Sequence, residues 1–554
     1  MRRFRRAVAL TAAALLVPAA AVAAPSPPDG GEITLRALGT YDGFVDQDEN
    51  AEGYAEIVAF DPASDRMFIS NDVQQRLDIV SIADPTNPTL VTSVDVTPYG
   101  TGINGVYSRG GLVAVAVERE ATFAADGTPN ARTGRVLLLN ADGESIIAPE
   151  VGVLPDMVTI SPDGLTVVVA NEGEPICAAD SDDPADAVDP PGTITVVDLS
   201  AGFADAVVHQ LDFSGFDTAA LRAAGVRIFF PGSDAGRDLE PEYVVVSDDS
   251  STAYVTLQEA NAIAVVDLDE PTITAVVPLG LKAFRDLQMD PSNRDAGAVF
   301  ANWDVFGMYM PDAIDTFTVG GQAYLATANE GDARDYDCYS EEERLADLDY
   351  TGATIPDTLV AAAQDDALLG RLNSTTASPT GTPIGSLHMY GARSFTIWDA
   401  AGGLVWDSGD DFAAIVAARY PDHLNGQSGD GSTFAEKMAN FEADARSDDK
   451  GGEPEAVAVG QVGSRHYAFV GLERQGGIMI YDVSSPAAPQ FQDYVNLALD
   501  ETIAGGPHTA PGTYDISPEG VTFVPASDSP NGQALVLVAN ELSGTTTVYQ
   551  VVGR

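Results

Sequence analysis

A two-strand phrase bounded by acidic residues recurs along this chain, and this repeat limits the possible folds more than any other feature. In its clearest copy, Glu242 precedes the β-branched run 243–247, residues 248–251 form a turn, and a second run, 253–257, ends just before Glu259. Such a pattern predicts a β-hairpin with one acid at each end. Seven copies are present, and their bounding residues are Glu56 and Asp72, Asn104 and Glu118, Asp156 and Glu172, Glu242 and Glu259, Asp312 and Glu330, Glu455 and Glu473, and Glu519 and Glu541.

More strands follow most of the hairpins. Third strands are predicted at 77–82, 194–198, 263–267, 394–398 and 478–481, and fourth strands at 89–92 and 272–276. Four strands per unit, repeated seven times, predict an all-β fold and specifically a seven-bladed β-propeller. The last copy ends after its third strand, so we expect the unassigned β-rich segment 33–41 to pair there and cover the open edge.

The rest of the chain divides into a leader and three insertions. Residues 1–23 combine four arginines with an apolar run and a small-residue end, which predicts a secretory signal peptide. Residues 24–554 are then a single propeller, exported and without a membrane span, because no second apolar stretch approaches about 20 residues. The excess length falls in insertions at 201–237, 331–392 and 409–452, with short helices predicted at 217–222, 341–346, 356–372, 411–419 and 433–446. We expect these helical insertions on one face, where such segments often build a ligand site.

Composition excludes several classes of partner and cofactor. The chain has 554 residues, 28 Lys and Arg against 83 Asp and Glu, and a formal net charge of −55. This charge repels nucleic-acid phosphates and anionic lipids, so neither is an expected partner. Five His and two Cys are too few for zinc clusters, haem attachment or iron–sulfur cages. Hard cations that prefer oxygen ligands remain compatible with the sequence.

Several long phrases resemble one known family. They are LPDMVTISPDG at 154–164, ANEGDARD at 328–335, RSDDKGGEPE at 446–455, SPNG at 529–532 and ANE at 539–541. In this order they resemble the choice-of-anchor I domain family, over roughly residues 33–552. The resemblance implies a secreted β-propeller related to mesenchyme-specific cell-surface glycoproteins of biomineralising animals and to an atypical large bacterial alkaline phosphatase. It implies no catalytic residues.

In a hairpin, the start of the first strand and the end of the second lie at the same end of the blade. The acids that bound the hairpins are therefore predicted to form an acidic mouth at one end of the channel. Crowded carboxylates repel one another, so the mouth should bind cations or hold protons. Calcium suits it best, since calcium accepts six to eight oxygen ligands in irregular geometry. The predicted calcium ligands are Glu240, Glu242, Glu259, Glu330, Glu453, Glu455 and Glu473. The alternative is that these acids are simply solvated at turns, in a protein whose acidity is an adaptation to salt.

Four basic residues beside the acidic phrases are candidates for anion binding: Arg237, Arg334, Arg446 and Lys450. A guanidinium beside a bound divalent cation is the pairing that phosphate ester hydrolysis requires. The alternative is that these residues form internal ion pairs with the surrounding carboxylates.

Two functions of different class follow. The first is an extracellular or cell-surface binding module whose partners are divalent cations and a small phosphorylated or extracellular-matrix ligand. The second is a calcium-dependent alkaline phosphatase-like phosphomonoesterase. The sequence has no Gly-x-Ser-x-Gly elbow, no His-Glu-x-x-His motif and no P-loop, so it shows no assignable nucleophile and favours the first.

The only two cysteines, Cys177 and Cys338, each lie just beyond a hairpin-end phrase of the same kind. Their copies are the third and the fifth, but the insertion that starts at residue 331 is long enough to fold across the fourth. In an exported chain oxidation is permitted, so we expect a disulfide that holds this insertion over the acidic mouth. The alternative is two free thiols.

Overall fold

The computed structural model describes residues 24–43, 53–179, 181–295, 297–429, 431, 434–499 and 515–554. The predicted signal peptide, 1–23, lies outside these described residues. Seven sheets of four or five strands account for most of the regular structure. Their strands follow one another along the chain, except that short strands of other sheets intervene in sheets 2 and 5 and that the N-terminal strand joins sheet 7. The prediction of an all-β fold is confirmed. We number the sheets along the chain as follows.

Sheet 1 consists of Val58–Asp61, Arg66–Asn71, Arg76–Ser81 and Thr89–Asp95, and sheet 2 of Gly102–Arg109, Leu112–Glu118, Thr133–Asn140, Ser145–Ile147 and Glu150–Val153. Sheet 3 consists of Pro155–Ile160, Thr166–Asn171, Thr193–Asp198 and Val207–Asp212, and sheet 4 of Val244–Val246, Thr252–Leu257, Ala262–Asp267 and Thr272–Pro278. Sheet 5 consists of Ile314–Val319, Gln322–Asn329, Ser394–Asp399 and Leu404–Asp407, and sheet 6 of Pro454–Val462, Arg465–Leu472, Ile478–Asp482 and Gln490–Val495. Sheet 7 consists of Pro518–Val524, Leu535–Asn540, Thr545–Gly553 and Ile33–Asp42.

Short elements fill the connections. Small sheets are formed by Leu281–Ala283, Val305–Met308 and Leu387–Met389, by Thr122–Phe123 and Pro129–Asn130, by Asp335–Tyr336 and Tyr339–Ser340, and by Glu342–Arg344 and Asn373–Thr375. The α-helices are Thr218–Ala224, Asp357–Ala363, Asp411–Arg419 and Phe434–Ala439, and the 3-10 helices are Pro184–Asp186, Phe203–Asp205, Phe284–Asp286, Leu345–Asp347 and Pro421–His423. None of the described helices is long and apolar enough to cross a membrane.

The seven sheets contact one another in a cycle. The first strand of each sheet contacts the first strand of the next, and the first strand of sheet 7 contacts that of sheet 1. Each neighbouring pair also shares an apolar cluster: Leu77 packs with Val115 between sheets 1 and 2, for example, and Val80 packs with Leu537 between sheets 7 and 1. Each fully buried side chain of this size contributes about 1.5–3 kcal/mol. The core therefore lies between neighbouring sheets, and each sheet packs against two others.

The N-terminal strand completes the last sheet, as expected. Ile33–Asp42 pairs antiparallel with Thr545–Gly553 along its whole length, from Ile33 opposite Gly553 to Asp42 opposite Thr545. Leu35 packs into the cluster between sheets 6 and 7. The two ends of the chain are thus joined in one sheet, and the C-terminal strand is not an exposed edge.

The three predicted insertions contact one another, although their content differs from the prediction. Arg227 of the first pairs with Glu341 of the second, and Arg344 of the second lies 3.3 Å from the Asp448 carboxylate of the third. The segment 201–237 also contains Val207–Asp212, which is the fourth strand of sheet 3.

One predicted helix is wrong, and one insertion was missed. The helices predicted at 356–372 and 433–446 are shorter, at Asp357–Ala363 and Phe434–Ala439. Residues 341–346 form a strand, Glu342–Arg344, and a 3-10 turn instead of the predicted helix, because the strand pairs with Asn373–Thr375. Between sheets 4 and 5, residues 279–313 form a further insertion with its own apolar cluster around Phe284 and Met289. The assignment of 24–554 to a single domain stays a prediction.

Candidate functional site

A cavity of about 410 Å³ lies where the first strands of the sheets begin. Its lining is dominated by the residues that bound the hairpins. Those in the lining are Glu56, Asn104, Asp156, Glu172, Glu242, Asp312, Glu330, Glu455, Glu473, Glu519 and Glu541, joined by Gln258, Asp332, Lys450 and Arg474. Asp72, Glu118 and Glu259 bound hairpins but lie outside this lining. We call this space the acidic cavity.

Buried asparagines fix the ends of several second strands and so position the acids that follow. The Asn171 amide donates to the Thr193 carbonyl at 3.0 Å and accepts from the Gly152 N–H at 3.0 Å, and Glu172 comes next. Asn540 donates to the Thr545 carbonyl at 3.2 Å, just before Glu541. Because the amide is satisfied inside the sheet, the following carboxylate is left at the strand end, facing its counterparts.

Burial and mutual repulsion raise the pKa of the cavity carboxyls. Burial, followed by the charge of Asp312, raises the pKa of Asp156 to about 8. Burial and the neighbouring Glu330 raise the pKa of Asp312 to about 8, against a hydrogen bond with Glu455 that lowers it. The pKa values of Glu172, Glu242, Glu455 and Glu519 are raised well above the ordinary value for the same reasons, burial first and nearby carboxylates second. Burial also raises the pKa of Glu473 well above the ordinary value, although the charge of Arg474 acts to lower it. Without bound cations, the cavity therefore holds protons near neutral pH.

The sequence-predicted metal set divides between the cavity and its surroundings. Glu242, Glu330, Glu455 and Glu473 line the cavity. Glu240, Glu259 and Glu453 are not part of this lining. The Glu240 carboxylate is buried and accepts hydrogen bonds from Arg334 Nε at 3.0 Å and from the Tyr336 hydroxyl at 3.1 Å.

Two groups of carboxylates are close enough to share an ion. Carboxylate oxygens of Glu330, Glu453 and Glu473 lie within 4.8 Å of one another, and so do those of Glu473, Glu519 and Glu541. Glu473 belongs to both groups, so it joins sheets 5, 6 and 7 at the cavity wall. Sequence reasoning included the first group among the ligands but omitted Glu519 and Glu541 from its final set.

Basic side chains already neutralise the first group. Lys450 pairs with Glu330, Arg446 Nε lies 2.5 Å from Glu453 Oε1, and Arg474 Nε lies 2.9 Å from Glu473 Oε1. Burial alone would lower the pKa of Lys450, but Glu330 and its neighbours raise it well above the ordinary value. The wall formed by sheets 5 and 6 therefore carries mixed charge, whereas the rest of the lining is acidic.

The four predicted anion-binding residues have different roles in the structure. Lys450 lines the cavity. Arg446 faces Glu453 and Asp449 in ion pairs. Arg334 is 0% exposed between Asp238 and Glu240, and Arg237 is half exposed beside Asp234. Arg237, Arg334 and Arg446 therefore form ion pairs within the protein, which was the alternative to anion binding. Arg474, which does line the cavity, was missed because its Glu-Arg-Gln context resembles an ordinary turn.

The two cysteines form the expected disulfide. Cys177 lies in the connection between the second and third strands of sheet 3, and Cys338 lies in the insertion 331–392 of sheet 5. Their Cα atoms are 5.7 Å apart. The bond thus ties the insertion of sheet 5 to a connection of sheet 3, which is not its neighbour along the chain.

Comparison with known proteins identifies similar chains. The family model of the choice-of-anchor I domain matches residues 56–486. Gigasin-3a of Magallana gigas is 30% identical over 210 residues, which cover 35% of this chain and 68% of that protein. The mesenchyme-specific cell surface glycoprotein of Strongylocentrotus purpuratus is 31% identical over 322 residues, which cover 50% of this chain and 40% of that protein.

Solved structures align over most of the chain at low similarity. Hydrazine synthase of Kuenenia stuttgartiensis aligns over 92% of this chain and 98% of its own, with a TM-score of 0.45 and 15% identity. The Cps50 (Swd1) beta-propeller domain of Myceliophteria thermophila aligns over 94% and 100%, with a TM-score of 0.43 and 10% identity. At these TM-scores the alignments carry no argument about function.

Proposed function

Because the chain belongs to the choice-of-anchor I domain family, we propose that it is an extracellular or cell-surface binding module whose acidic cavity takes divalent cations, calcium first. The observation that carries the proposal is the convergence of the hairpin-bounding carboxylates on one cavity. The matched relative from Strongylocentrotus purpuratus is named as a cell surface glycoprotein, which supports the location. The Cys177–Cys338 disulfide agrees with an oxidising compartment.

The proposal includes a seven-bladed propeller with the cavity at one mouth of its channel. Seven sheets in cyclic contact, with an apolar cluster between each neighbouring pair, support this architecture. A second cavity, of about 250 Å³, lies beyond the acidic residues and is lined by the first strands of all seven sheets. In a propeller, the inner strands line such a central channel.

Oxygen atoms without donors make a cation the natural occupant. Glu455 is 8% exposed, and its Oε2 has no hydrogen-bond partner among the described residues; the same holds for Glu242 Oε2 and Glu56 Oε2. A buried, unpaired carboxylate is costly unless a proton or a cation compensates it. The group Glu473, Glu519 and Glu541 supplies three carboxylates within 4.8 Å. We place the cation there, beside Glu455.

Calcium fits this ligand set better than the transition metals. The described lining offers carboxylate and amide oxygens, one thioether sulfur from Met157, and neither a thiolate nor an imidazole nitrogen. A roomy cavity with an irregular ring of carboxylates suits the six to eight ligands and flexible geometry of calcium rather than the strict octahedron of magnesium. By analogy with extracellular calcium modules, the expected Kd is on the order of 10⁻⁴–10⁻³ M.

Calcium titration calorimetry in high sodium chloride tests the proposal. The native chain should bind calcium, and Glu519→Gln should weaken binding at least tenfold, because it removes one of three converging carboxylates. Glu270→Gln is the matched control, since Glu270 is exposed on a hairpin turn and its substitution changes the net charge equally. Equal affinities for Glu519→Gln and Glu270→Gln would show that calcium responds only to overall charge and would overturn the assignment.

A second candidate function is favoured by the mixed-charge wall. Lys450 and Arg474 line the same cavity as the carboxylates, so a phosphate group could bridge a bound cation and these side chains. This supports the calcium-dependent phosphomonoesterase as the alternative. Release of p-nitrophenol from its phosphate at alkaline pH, dependent on calcium and lost in Lys450→Met, would establish it. No release with calcium present would leave the binding module.

A further inference from the structure

A third cavity, of about 410 Å³, shares no residue with the lining of the acidic cavity. Its walls come mainly from three segments, which are the connection 119–132 of sheet 2, the connection 172–192 of sheet 3 and the insertion 331–392. We call it the side cavity. Its volume lies in the range of about 300–1,000 Å³ that is typical of small-molecule sites.

The walls of the side cavity are fastened to one another. The Ala179 N–H donates to the Gly127 carbonyl at 3.0 Å, which joins the connections of sheets 3 and 2. The Cys177–Cys338 disulfide joins the connection of sheet 3 to the insertion, and Cys177 itself lines the cavity. The cavity is therefore formed before any ligand arrives, which lowers the entropic cost of binding.

Part of the lining is apolar and includes an exposed aromatic ring. Phe123 is 51% exposed, although it lines the cavity beside Pro175 and Ile176. An aromatic side chain left uncovered within a cavity offers its ring to an aromatic group of a ligand, and such ring pairs contribute beyond the area they bury.

A basic side chain without a partner lines the same cavity. Arg132 is half-buried there, and its side chain forms no hydrogen bond or ion pair with any described residue. Arg119, by contrast, lies 3.6 Å from the Glu150 carboxylate. In a chain with 83 acidic and 28 basic residues, an unpaired guanidinium is unusual. It has five donors and suits a carboxylate of a ligand.

Two carboxyls in the lining lack partners of the opposite kind. Neither Glu118 nor Glu174 accepts a side-chain hydrogen bond within the described part of the chain. Burial, followed by nearby carboxylates, raises the pKa of each to about 7, although the charge of Arg334 opposes the rise at Glu174. An ammonium group would compensate these carboxylates. Because no ion pair joins them to Arg132, opposite charges are held apart in one cavity.

We propose that the side cavity binds the zwitterion of an aromatic amino acid, with its carboxylate at Arg132, its ammonium group at Glu118 and Glu174, and its ring against Phe123. A ligand with only an ammonium group leaves Arg132 unpaired, and a ligand with only a carboxylate leaves the two glutamates uncompensated. The site is independent of the proposed function, because the two cavities share no lining residue.

Titration calorimetry of the full-length chain with L-phenylalanine tests the proposal, with a chelator present so that no divalent cation contributes. Three analogues each lack one group: phenethylamine lacks the carboxylate, 3-phenylpropionate lacks the ammonium group and L-alanine lacks the ring. The native chain should bind L-phenylalanine at least tenfold more tightly than any of them. Absence of binding, or equal binding of any analogue, would overturn the proposal.

Substitutions assign the two charges. Arg132→Gln should weaken binding of L-phenylalanine at least tenfold and leave phenethylamine unaffected, whereas Glu174→Gln should weaken L-phenylalanine and leave 3-phenylpropionate unaffected. Arg36→Gln and Glu270→Gln are the matched controls, because both residues are exposed and the changes in net charge are equal. Unchanged affinity in Arg132→Gln would overturn the assignment.

Glu519→Gln separates the side cavity from the acidic cavity. This variant should bind L-phenylalanine as the native chain does, even where it loses calcium. Loss of L-phenylalanine binding in Glu519→Gln, with binding retained in Glu174→Gln, would place the ligand in the acidic cavity and overturn the proposal.

Discussion

At the scale of single residues, the structure distinguishes buried carboxylates that stabilise the fold from buried carboxylates that destabilise it. Glu341 is fully buried and pairs with Arg227, whose guanidinium also donates to the Glu259 carbonyl at 2.7 Å. Glu455 is almost as buried but keeps an oxygen without a donor. The same residue type at similar burial therefore has opposite energetic consequences, and substitutions should reveal which is which.

Glu455→Gln should stabilise the protein in the presence of a chelator. Burial, followed by the charge of Glu330, raises the pKa of Glu455 well above the ordinary value, so ionising this carboxyl in the folded protein costs free energy. The substitution removes that cost, and the new amide can donate to Asp312. A gain of about 1–3 kcal/mol is the cost usually attached to an unsatisfied buried group. Urea unfolding of Glu455→Gln and Glu270→Gln measures it. A loss of stability relative to the control would mean that the Glu455 carboxylate is already compensated.

Glu341→Gln should destabilise the protein in the same assay. It leaves the Arg227 charge buried without its counter-ion, which typically costs about 3–5 kcal/mol. The matched control is again Glu270→Gln, which changes net charge equally at an exposed site. A change below about 0.5 kcal/mol, the usual range for surface substitutions, would contradict the role assigned to this pair.

The sequence predicted the acidic cavity but not which of the predicted calcium ligands line it. The position of an acid at a strand end predicts that it faces the mouth, as it does for Glu242, Glu330, Glu455 and Glu473. Position along the chain does not reveal a partner from a distant insertion. Glu240 binds Arg334, which is 94 residues away, so it is removed from the ligand set by a contact that no local pattern contains.

At the scale of elements, the strands were predictable, whereas the internal structure of the insertions was not. Alternating β-branched runs gave the hairpins, and the closing strand followed from the missing fourth strand of the last copy. Residues 341–346 carry good helix formers, yet their pairing with Asn373–Thr375 makes them a strand, because tertiary contacts outweigh propensity in short segments. The insertion 279–313 lacks a repeating pattern and was therefore missed.

The disulfide is the strongest tie among these irregular elements. Its two cysteines are separated by 161 residues, and closing a loop of that size stabilises by about 4–5 kcal/mol in the chain-entropy model, with strain reducing the gain. The double substitution Cys177→Ser with Cys338→Ser should lower the free energy of unfolding by about 2–5 kcal/mol. Urea unfolding measures the loss, and thiol titration of the denatured, unreduced native chain should find no free thiol. Two titratable thiols would contradict the bond.

At the scale of the whole molecule, the raised pKa values predict an unusual dependence of stability on pH. The carboxyls of Asp156 and Asp312, with pKa values of about 8 when folded, have ordinary values near 4 in the unfolded chain. Between these values the folded state holds protons that the unfolded state releases. Their contribution is therefore complete below about pH 4 and is lost as the pH rises to about 8.

In the presence of a chelator, the midpoint of urea unfolding should accordingly be higher at pH 5.5 than at pH 8. Calcium should reduce the difference, because a bound cation compensates the same carboxylates at high pH. The comparison is made at constant high sodium chloride, so that general screening is equal. A midpoint that rises with pH in the chelator would contradict the burial of these carboxyls.

The central claim is that the acidic cavity binds calcium, and thermal unfolding in high sodium chloride tests it most directly. The measurement compares calcium with chelator in the native chain and in Glu519→Gln. Calcium at one hundred times Kd should stabilise the native folded state by about 2.7 kcal/mol and raise its midpoint, and the rise should be smaller in Glu519→Gln. Identical midpoints with calcium and with chelator in the native chain would contradict a cation site in the cavity.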